Sequence, residues 1–149
     1  GLHRGAPGVA KAWHLTHADA VLSDLGDGER FGPWGYAGGS SAPGNRFLYA
    51  PGTDEEYSIG MFCTGLPIKA GRQLILFQSG GGGWGDPRRR PAEWVLEDVA
   101  NGLLSVEAAA RGYGVVVSVG EKPWRYALDQ EATDRLREEA LSGAQTEHR

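Results

Sequence analysis

A run of four glycines follows an apolar segment of the chain, and its spacing raises the question of phosphate binding. Residues 80–85 have the sequence Gly-Gly-Gly-Gly-Trp-Gly, which satisfies the G-x-G-x-x-G pattern of dinucleotide-binding loops. Those loops hold a pyrophosphate at the N-terminus of a helix that begins within the loop. Here residues 86–91 separate the glycines from the first predicted helix, and no Gly-Lys-Ser/Thr follows. We therefore favour close backbone approach or a hinge, with N–H groups that hold an anion or carbonyl as the alternative.

The histidines and the single cysteine give little support for a metal or nucleophile site. His14 and His17 are three residues apart, which places them on opposite faces of a strand. A zinc or manganese site needs three or four converging ligands. Cys63 lies in an apolar segment, where a cysteine is most often a small core residue. The residues themselves therefore predict no metal ligand and no catalytic residue.

Two tryptophans lie in glycine-rich segments, where a hydrophobic core cannot easily enclose them. They are Trp34, within residues 31–44, and Trp84, within the loop of four glycines. Such side chains either anchor an interface or pin their own loops. We prefer the interface interpretation.

The composition limits the class of protein. The chain has 149 residues, and its 24 glycines divide into 19 before residue 88 and 5 after it. A length of this order supports one domain with a single core. The net charge is −4 and the largest basic cluster is residues 88–90, so we expect no nucleic acid and no anionic membrane as partners. One cysteine fits a reducing, cytoplasmic location, and no apolar run approaches the length of a membrane span.

The first part of the chain alternates short apolar segments with turn residues. This pattern predicts strands at residues 9–15, 19–25, 46–49, 57–64 and 73–78. The first is expected to be half-buried, with Val9, Trp13 and Leu15 on one face. Several short strands at this spacing are typical of a β-sandwich or barrel-like layer.

After Pro87 the hydrophobic period changes to that of helices. A helix is predicted at residues 92–101, and a second at 106–111 with Ser105 as its N-cap and Gly112 at its end. A strand at 115–119 and a last helix, with Asp129 as its N-cap and its end at about residue 141, complete the order. The predicted class is α+β, with a β-rich, sandwich or barrel-like N-terminal part and a small helical C-terminal appendage. We expect a glycine-rich β module at 1–87 and a helix-helix-strand-helix appendage at 88–149, which together form one structural unit.

Several ordered segments are similar to one known family. Residues 79–87 and 94–116 resemble the C-terminal end of the hydantoinase B/5-oxoprolinase family. Residues 4–8, 30–39 and 42–45 are similar to the preceding region of that family, in the same order. The resemblance covers nearly the whole chain, to about Leu136. It is specific because all of these segments occur together in the family's order, whereas each segment alone would be a weak match.

The resemblance implies an ATP-dependent assembly. In such assemblies ATP is bound and hydrolysed by a hydantoinase A-like subunit, and the B-like chain helps to open a cyclic amide such as 5-oxoproline, an N-substituted hydantoin or a lactam. Related acetone and acetophenone carboxylases activate a ketone with the same pair of folds. We therefore expect ATP and a divalent metal in partner subunits and no cofactor bound by this chain.

The chain departs from the family in length. Family members have several hundred residues, and the large N-terminal portion has no counterpart here, so no catalytic residue can be carried over. No Met precedes Gly1, and we expect a small subunit, a processed product or a C-terminal piece that is inactive alone. Its expected partners are the A-like ATP-binding subunit and the large N-terminal part of a B-like chain; the alternative is a non-catalytic assembly module. The candidate binding or interface residues are Arg4, Arg30, Trp34, Gly80, Gly81, Gly82, Gly83, Trp84 and Asp86. Substitution of Trp84 by Ala or of Gly82 by Val is expected to impair assembly or activity more than folding.

Overall fold

The computed structural model describes residues 1–122 and 124–146, and the contacts within the chain divide it into two units. The sheet unit comprises Arg4–Tyr36 and Ser40–Gly83; the helical unit comprises Gly1–His3, Ala37–Gly39 and the chain from Trp84 onward. Among the described residues, six strands lie in the sheet unit and three α-helices in the helical unit, so the predicted α+β class is confirmed. The predicted domain boundary after residue 87 and the expected single structural unit stay predictions.

The sheet unit consists of two antiparallel layers. Its strands are β1 (Val9–His14), β2 (Ala20–Leu25), β3 (Arg46–Tyr49), β4 (Tyr57–Ser58), β5 (Phe62–Ile68) and β6 (Gln73–Gln78). Four of them form a sheet in the order β1-β6-β3-β4, and β2 pairs with β5 as a two-stranded ribbon. The bounds of β3 and β6 are those predicted, because both are apolar segments closed by turn residues.

The core of the sheet unit forms because buried residues recur at every second position. In β3 Phe47 and Tyr49 are buried, and they lie opposite Leu76 and Leu74 of β6. Ile68 of the ribbon belongs to the same buried cluster, and Leu22 and Leu66 pack against it. The ribbon and the sheet therefore share one core, as in the sandwich that the spacing predicts.

Two sequence predictions in this unit are wrong in detail. The strand predicted at 57–64 is divided at Gly60, whose φ of +79° turns the chain, so β4 pairs with β3 while β5 pairs with β2. The strand predicted to be half-buried at 9–15 is β1, whose residues are solvent-exposed. Of the three residues expected on the buried face, only Leu15, which follows β1, packs against the core. Because β1 is an edge strand, its side chains are covered less than the side chains of the inner strands. Val9 stays 53% exposed and Trp13 stays 43% exposed.

The helical unit contains more structure than the sequence predicts. A single 3-10 turn (Pro87–Arg89) precedes α1 (Ala92–Ala100) and α2 (Val106–Tyr113), and β7 (Val116–Val119), β8 (Tyr126–Asp129) and α3 (Gln130–Thr146) follow. The predicted order is wrong in omitting the 3-10 turn and β8, which pairs with β7. The sequence of β8, Tyr-Ala-Leu-Asp, contains no β-branched residue, so its strand signal is weak. Within the described residues, no helix is both long and apolar enough to cross a bilayer.

The helix caps follow local chemistry. Ser105 Oγ accepts from the N–H of Ala108 at 3.1 Å, and Asp129 Oδ1 accepts from the N–H of Ala132 at 2.9 Å, so both predicted caps are confirmed. The predicted end of α2 at Gly112 is wrong. The helix ends at Tyr113, the following Gly114 forms the left-handed C-cap with a φ of +61°, and Gly112 lies inside the helix.

Replacing Gly112 by alanine should therefore stabilise the chain. Apart from its chain neighbours and the backbone of the helix itself, no atom of the described residues lies within 4 Å of the position that its Cβ would occupy. Glycine inside a helix costs about 0.5–1 kcal/mol relative to alanine, so the free energy of unfolding in urea should rise by that amount. The matched control is Gly114→Ala, which should lower it, because φ is positive there and Arg137 Cγ lies 3.1 Å from the new Cβ. A Gly112→Ala variant less stable than the parent would contradict the helical placement of this glycine.

An ion pair is enclosed in the core of the helical unit. Arg90 Nη2 lies 3.0 Å from Asp98 Oδ2, and the two side chains are only 8% and 7% exposed. Arg90 Nη1 also donates to the carbonyl of Leu2 at 3.0 Å, and the guanidinium lies 5.4 Å from the Trp94 ring centre. The surrounding core is apolar and includes Val95 and Val99. The ion pair therefore connects Arg90, in the segment before α1, to Asp98 within α1.

Candidate functional site: a glycine-packed loop junction

The glycine-rich loops of the sheet unit pack backbone against backbone. A Cβ on Gly80 would lie 2.1 Å from the carbonyl oxygen of Ala6, and one on Gly5 would lie 2.1 Å from that of Gly81. A Cβ on Gly82 would lie 2.0 Å from the carbonyl oxygen of Trp34. Glycine is required at these positions because a side chain cannot occupy the space. The predicted close backbone approach of residues 80–82 is confirmed.

The loop between β2 and β3 is folded on itself in the same way. A Cβ on Gly32 would lie 2.3 Å from the carbonyl oxygen of Ala42, and one on Gly44 would lie 2.1 Å from that of Glu29. We use the name glycine junction for residues 5–8, 28–35, 40–45 and 78–83, whose backbones meet through these contacts. A long loop in a compact unit thus acquires a defined conformation without a core of its own.

Asn45 holds three parts of this region together. Its Nδ2 donates to the carbonyl of Asp27 at 2.7 Å, and its backbone N–H donates to the carbonyl of Gly28 at 2.9 Å. Its Oδ1 accepts from the N–H of Ser79 at 2.7 Å and from Ser79 Oγ at 3.0 Å. Sequence reasoning included Asn45 only within a family segment and missed this role, since its partners are distant in the chain.

The hydrogen bonds of the loop of four glycines are directed into the protein. The N–H of Gly81 donates to Ala6, and the N–H of Gly83 donates to Ser40, at 3.0 and 2.9 Å. The carbonyl of Gly83 accepts from the N–H of Tyr36 at 2.9 Å. The next α-helix begins at Ala92, well past the loop. The N–H groups of Gly81 and Gly83 are thus already engaged, and the helix N-terminus that a pyrophosphate needs lies outside the loop.

Large apolar side chains project from the junction and from the neighbouring ribbon. Phe31 is 87% exposed and Trp34 is 80% exposed. Phe31 borders two surface hollows, one of about 310 Å³ that includes Phe62 and one of about 540 Å³ that includes Trp34. Leu25 and Phe62 are cross-strand partners in the ribbon, 83% and 72% exposed. Exposed apolar side chains that border common hollows, as Phe31 does with Phe62 and with Trp34, are candidates for an interaction surface.

The predicted binding residues divide between the two units. Arg4, Arg30, Trp34 and Gly80–Gly83 belong to the sheet unit, and Trp84 and Asp86 belong to the helical unit. Trp84 pairs with His3 through two backbone hydrogen bonds, their ring centres are 5.4 Å apart, and it is 48% exposed. Asp86 Oδ1 accepts from the N–H of Arg88 at 2.9 Å and caps the 3-10 turn. A binding role for any of these residues stays a prediction.

Two carboxylates, Asp19 just before β2 and Asp24 within it, differ in their partners. Asp19 accepts from Lys69 Nζ at 2.8 Å and from the N–H of Ala70 at 2.9 Å, and these hydrogen bonds lower the pKa of Asp19. Asp24 Oδ2 is buried, and no donor of the described residues lies within hydrogen-bonding distance. Sequence reasoning missed Asp24, although the alternation of β2 places it on the same face as Leu22. Among residues 1–122 and 124–146, no three His, Cys, Asp or Glu side chains converge on a metal position.

Two layers of short strands, with loops that meet through glycine backbones, define a β-rich module. The family model for hydantoinase B/oxoprolinase matches residues 1–87, more than half of the chain. The chain belongs to the hydantoinase B/oxoprolinase family, and the resemblance drawn from the loop segments is confirmed.

Curated relatives match over most of this chain and over a small part of their own length. The beta subunit of the caprolactamase of Pseudomonas jessenii is 36% identical over 69% of this chain and 18% of its own length. The B-type chain of a putative D-/L-hydantoinase from a Pseudomonas species is 30% identical over 80% of this chain and 20% of its own. An uncharacterized protein of Methanocaldococcus jannaschii is 30% identical over 92% of this chain and 23% of its own length. The chain thus spans about a fifth of the length of these relatives.

Solved structures show the same fold. The ATP-dependent caprolactamase of Pseudomonas jessenii superposes with a TM-score of 0.65 at 29% identity, over 91% of this chain and 25% of that one. The nucleotide-free acetone carboxylase superposes with a TM-score of 0.69 over 97% of this chain and 24% of that one. Its identity is 18%, so this likeness concerns the fold alone.

Proposed function

We propose that the chain forms part of an ATP-dependent enzyme assembly that opens a cyclic amide. The observation that carries the proposal is the 36% identity with the beta chain of a caprolactamase, within a family that also includes the B-type chain of a hydantoinase. In such a reaction the γ-phosphoryl group of ATP is transferred to the amide carbonyl oxygen and ADP leaves. Water then adds to the activated carbonyl carbon, the ring C–N bond breaks with the nitrogen leaving as an amine, and a second water hydrolyses the resulting acyl phosphate to a carboxylate and phosphate. The substrate class is a lactam, a hydantoin or 5-oxoproline.

A ketone carboxylase is the second candidate. The specific observation in its favour is the superposition with acetone carboxylase over 97% of this chain. The relatives with 30% identity or more that have a named activity are named for a lactam or for hydantoins. Because the relatives with the higher sequence identity are named for cyclic amides, we place the opening of a cyclic amide first.

We propose that the glycine junction is a contact surface of this assembly. The companions would be the large hydantoinase B-like portion and a hydantoinase A-like subunit, which would hold ATP and the divalent metal. Phe31 and Trp34 support this role, because exposed aromatic side chains on a rigid backbone are the usual anchors of interfaces. The packed glycine backbones keep these side chains in place before the partner binds, which reduces the entropy lost on association.

The test is ATP-dependent turnover with and without the companions. The purified chain should not convert caprolactam, 5-oxoproline, a hydantoin or acetone in the presence of ATP. The chain together with the A-like and large B-like companions should convert at least one of the three cyclic amides. Turnover by the chain alone would contradict the proposal. A chain that never associates with either companion would favour the non-catalytic module.

Removing the aromatic side chains of the junction should weaken the assembly. Trp34→Ala and Phe31→Ala should each raise the Kd for the companions by about thirtyfold, which corresponds to the roughly 2 kcal/mol of an interface hot spot. Binding of labelled chain to the companions measures this change. The matched control is Trp124→Ala, since Trp124 is 71% exposed but belongs to the helical unit. Unchanged Kd values for both junction variants, with unchanged circular dichroism, would show that the companions do not contact this surface.

A further inference from the structure

The outer face of the ribbon formed by β2 and β5 carries no charged side chain. The inner face packs against the core through Leu22, Leu66 and Ile68. Because side chains alternate along a strand, a second set of residues points outward, and every member of this set is solvent-exposed. We use the name ribbon face for this set, which comprises Val21, Ser23 and Leu25 of β2 and Phe62, Thr64 and Pro67 of β5.

The residues of the ribbon face are neighbours across the two strands. Val21 lies opposite Pro67, and Leu25 lies opposite Phe62. Between these two apolar pairs, Ser23 Oγ and Thr64 Oγ1 lie 3.4 Å apart. The ribbon face is therefore apolar at both ends, with two uncharged hydroxyl groups at its centre.

Charged side chains lie around the ribbon face. Beside one end, Lys69 Nζ and Asp19 Oδ2 form an exposed ion pair at 2.8 Å. At the other end, the hollow of about 310 Å³ that Phe31 and Phe62 share is also lined by acidic and basic residues, namely Asp27, Glu29 and Arg30. An uncharged centre within a polar rim is the typical anatomy of a protein interface.

The composition of the ribbon face differs from that of a sheet surface that stays in water. A solvated face of an antiparallel sheet carries mainly polar side chains, and exposed edge strands are usually protected from pairing by charges, especially lysine. The edge strand β1 carries such a residue, Lys11, at an exposed position. The ribbon face has no equivalent. Permanent interfaces are more apolar than transient ones, so this composition favours a face that stays covered.

We infer that the ribbon face is the permanent seat of the large hydantoinase B-like portion; the inference rests on the proposed function for the identity of this companion. The matched segment makes up only 18–23% of the length of the curated relatives, so most of each relative's polypeptide is available to pack on this module. A face covered within one polypeptide needs no charge to prevent unwanted pairing. The hollow that Phe31 shares with Phe62 makes the ribbon face continuous with the glycine junction.

A second copy of this chain is the alternative occupant. The same face of both copies would then meet across a twofold axis. Each copy carries a net charge of −4, which disfavours the approach of two copies. The two occupants are distinguished by whether the chain associates with itself or with the companion.

The experiment measures binding of the labelled 149-residue chain to the purified large B-like companion without ATP. Thr64→Lys places a charge at the centre of the ribbon face and should raise the Kd by about thirtyfold or more, because burying an unpaired ammonium group is costly. The double variant Leu25→Thr with Phe62→Thr removes apolar side chains, retains strand propensity and should have an effect of the same order. Ser118→Lys is the matched control, because it adds the same charge at an exposed position of β7 in the helical unit.

Two further measurements locate the contact. Backbone amides of residues 20–25 and 62–68 should exchange more slowly in the complex than in the free chain. Sedimentation of the chain alone should show a monomer at the concentrations of the binding experiment. Circular dichroism of each variant should match that of the parent, since the substituted side chains are exposed.

The inference is overturned if the parent chain does not bind the companion, if both ribbon variants bind with the parent's Kd, or if slower exchange is confined to other residues. Self-association that Thr64→Lys abolishes would assign the face to a second copy instead. Turnover of a cyclic amide by an assembly that is insensitive to the ribbon variants would leave the proposed function standing without this inference. A complex that forms through the ribbon face but opens no cyclic amide with ATP and the A-like subunit would contradict the proposed function alone.

Discussion

Replacing Asp98 by alanine should destabilise the helical unit by about 3–5 kcal/mol, because it leaves a buried guanidinium without its counter-charge. Arg90 is 7% exposed as a residue, and Asp98 Oδ2 is its acidic partner at 3.0 Å. Arg90 Nε already has no hydrogen-bond partner among the described residues, so the remaining donors cannot compensate for the loss. Urea unfolding followed by circular dichroism measures the change. It should appear as a lower midpoint with a similar slope.

Two comparisons separate the buried pair from ordinary surface charge. Glu131→Ala removes the partner of Arg135 from an exposed pair at 2.8 Å in α3, and its effect should be small. The double variant Arg90→Met with Asp98→Leu removes both charges and should regain most of the lost stability. If Asp98→Ala changed stability no more than Glu131→Ala, the pair would not be enclosed as the structure describes.

Replacing Gly82 by alanine should destabilise the sheet unit by about 3 kcal/mol or more, since the new Cβ would overlap backbone. The Cβ would lie 2.0 Å from the Trp34 carbonyl oxygen and 2.9 Å from the Gly35 nitrogen. Neither atom belongs to a flexible side chain, so the two loops must separate. Thermal unfolding and amide exchange of residues 30–45 measure the effect.

Gly81→Ala is the matched control for this prediction. Outside its chain neighbours, the atom nearest to the new Cβ is the Ala6 nitrogen at 3.4 Å, which is an ordinary contact. The free energy of unfolding of the Gly81→Ala variant should therefore stay close to that of the parent. Equal stability of the two variants would contradict the close packing at Gly82. The expectation that Gly82→Val impairs assembly more than folding is revised accordingly, because any side chain at this position deforms the junction itself.

Prediction from residues succeeded where the cause is local. The caps at Ser105 and Asp129 depend on a side chain and an N–H three residues away, and the bounds of β3 and β6 depend on adjacent turn residues. The family resemblance was also correct, because it depends on ordered motifs. Prediction failed for the division at Gly60, because β5 pairs with the distant strand β2. It failed for β8 because the segment Tyr-Ala-Leu-Asp contains no β-branched residue and has a weak strand signal, although its partner β7 is close in the chain.

The chain's own residue pattern therefore accounts for the α+β class, the helix caps, the family and the excess of glycine before residue 88. Folding in three dimensions brings Gly5 against Gly81 and Gly82 against Trp34, encloses Arg90 with Asp98, and places Leu25 opposite Phe62 on an exposed face. The physical reason is range. Hydrogen-bond capping and turn chemistry act over three or four residues, whereas burial, close packing and charge pairing depend on which distant segments the fold brings into contact.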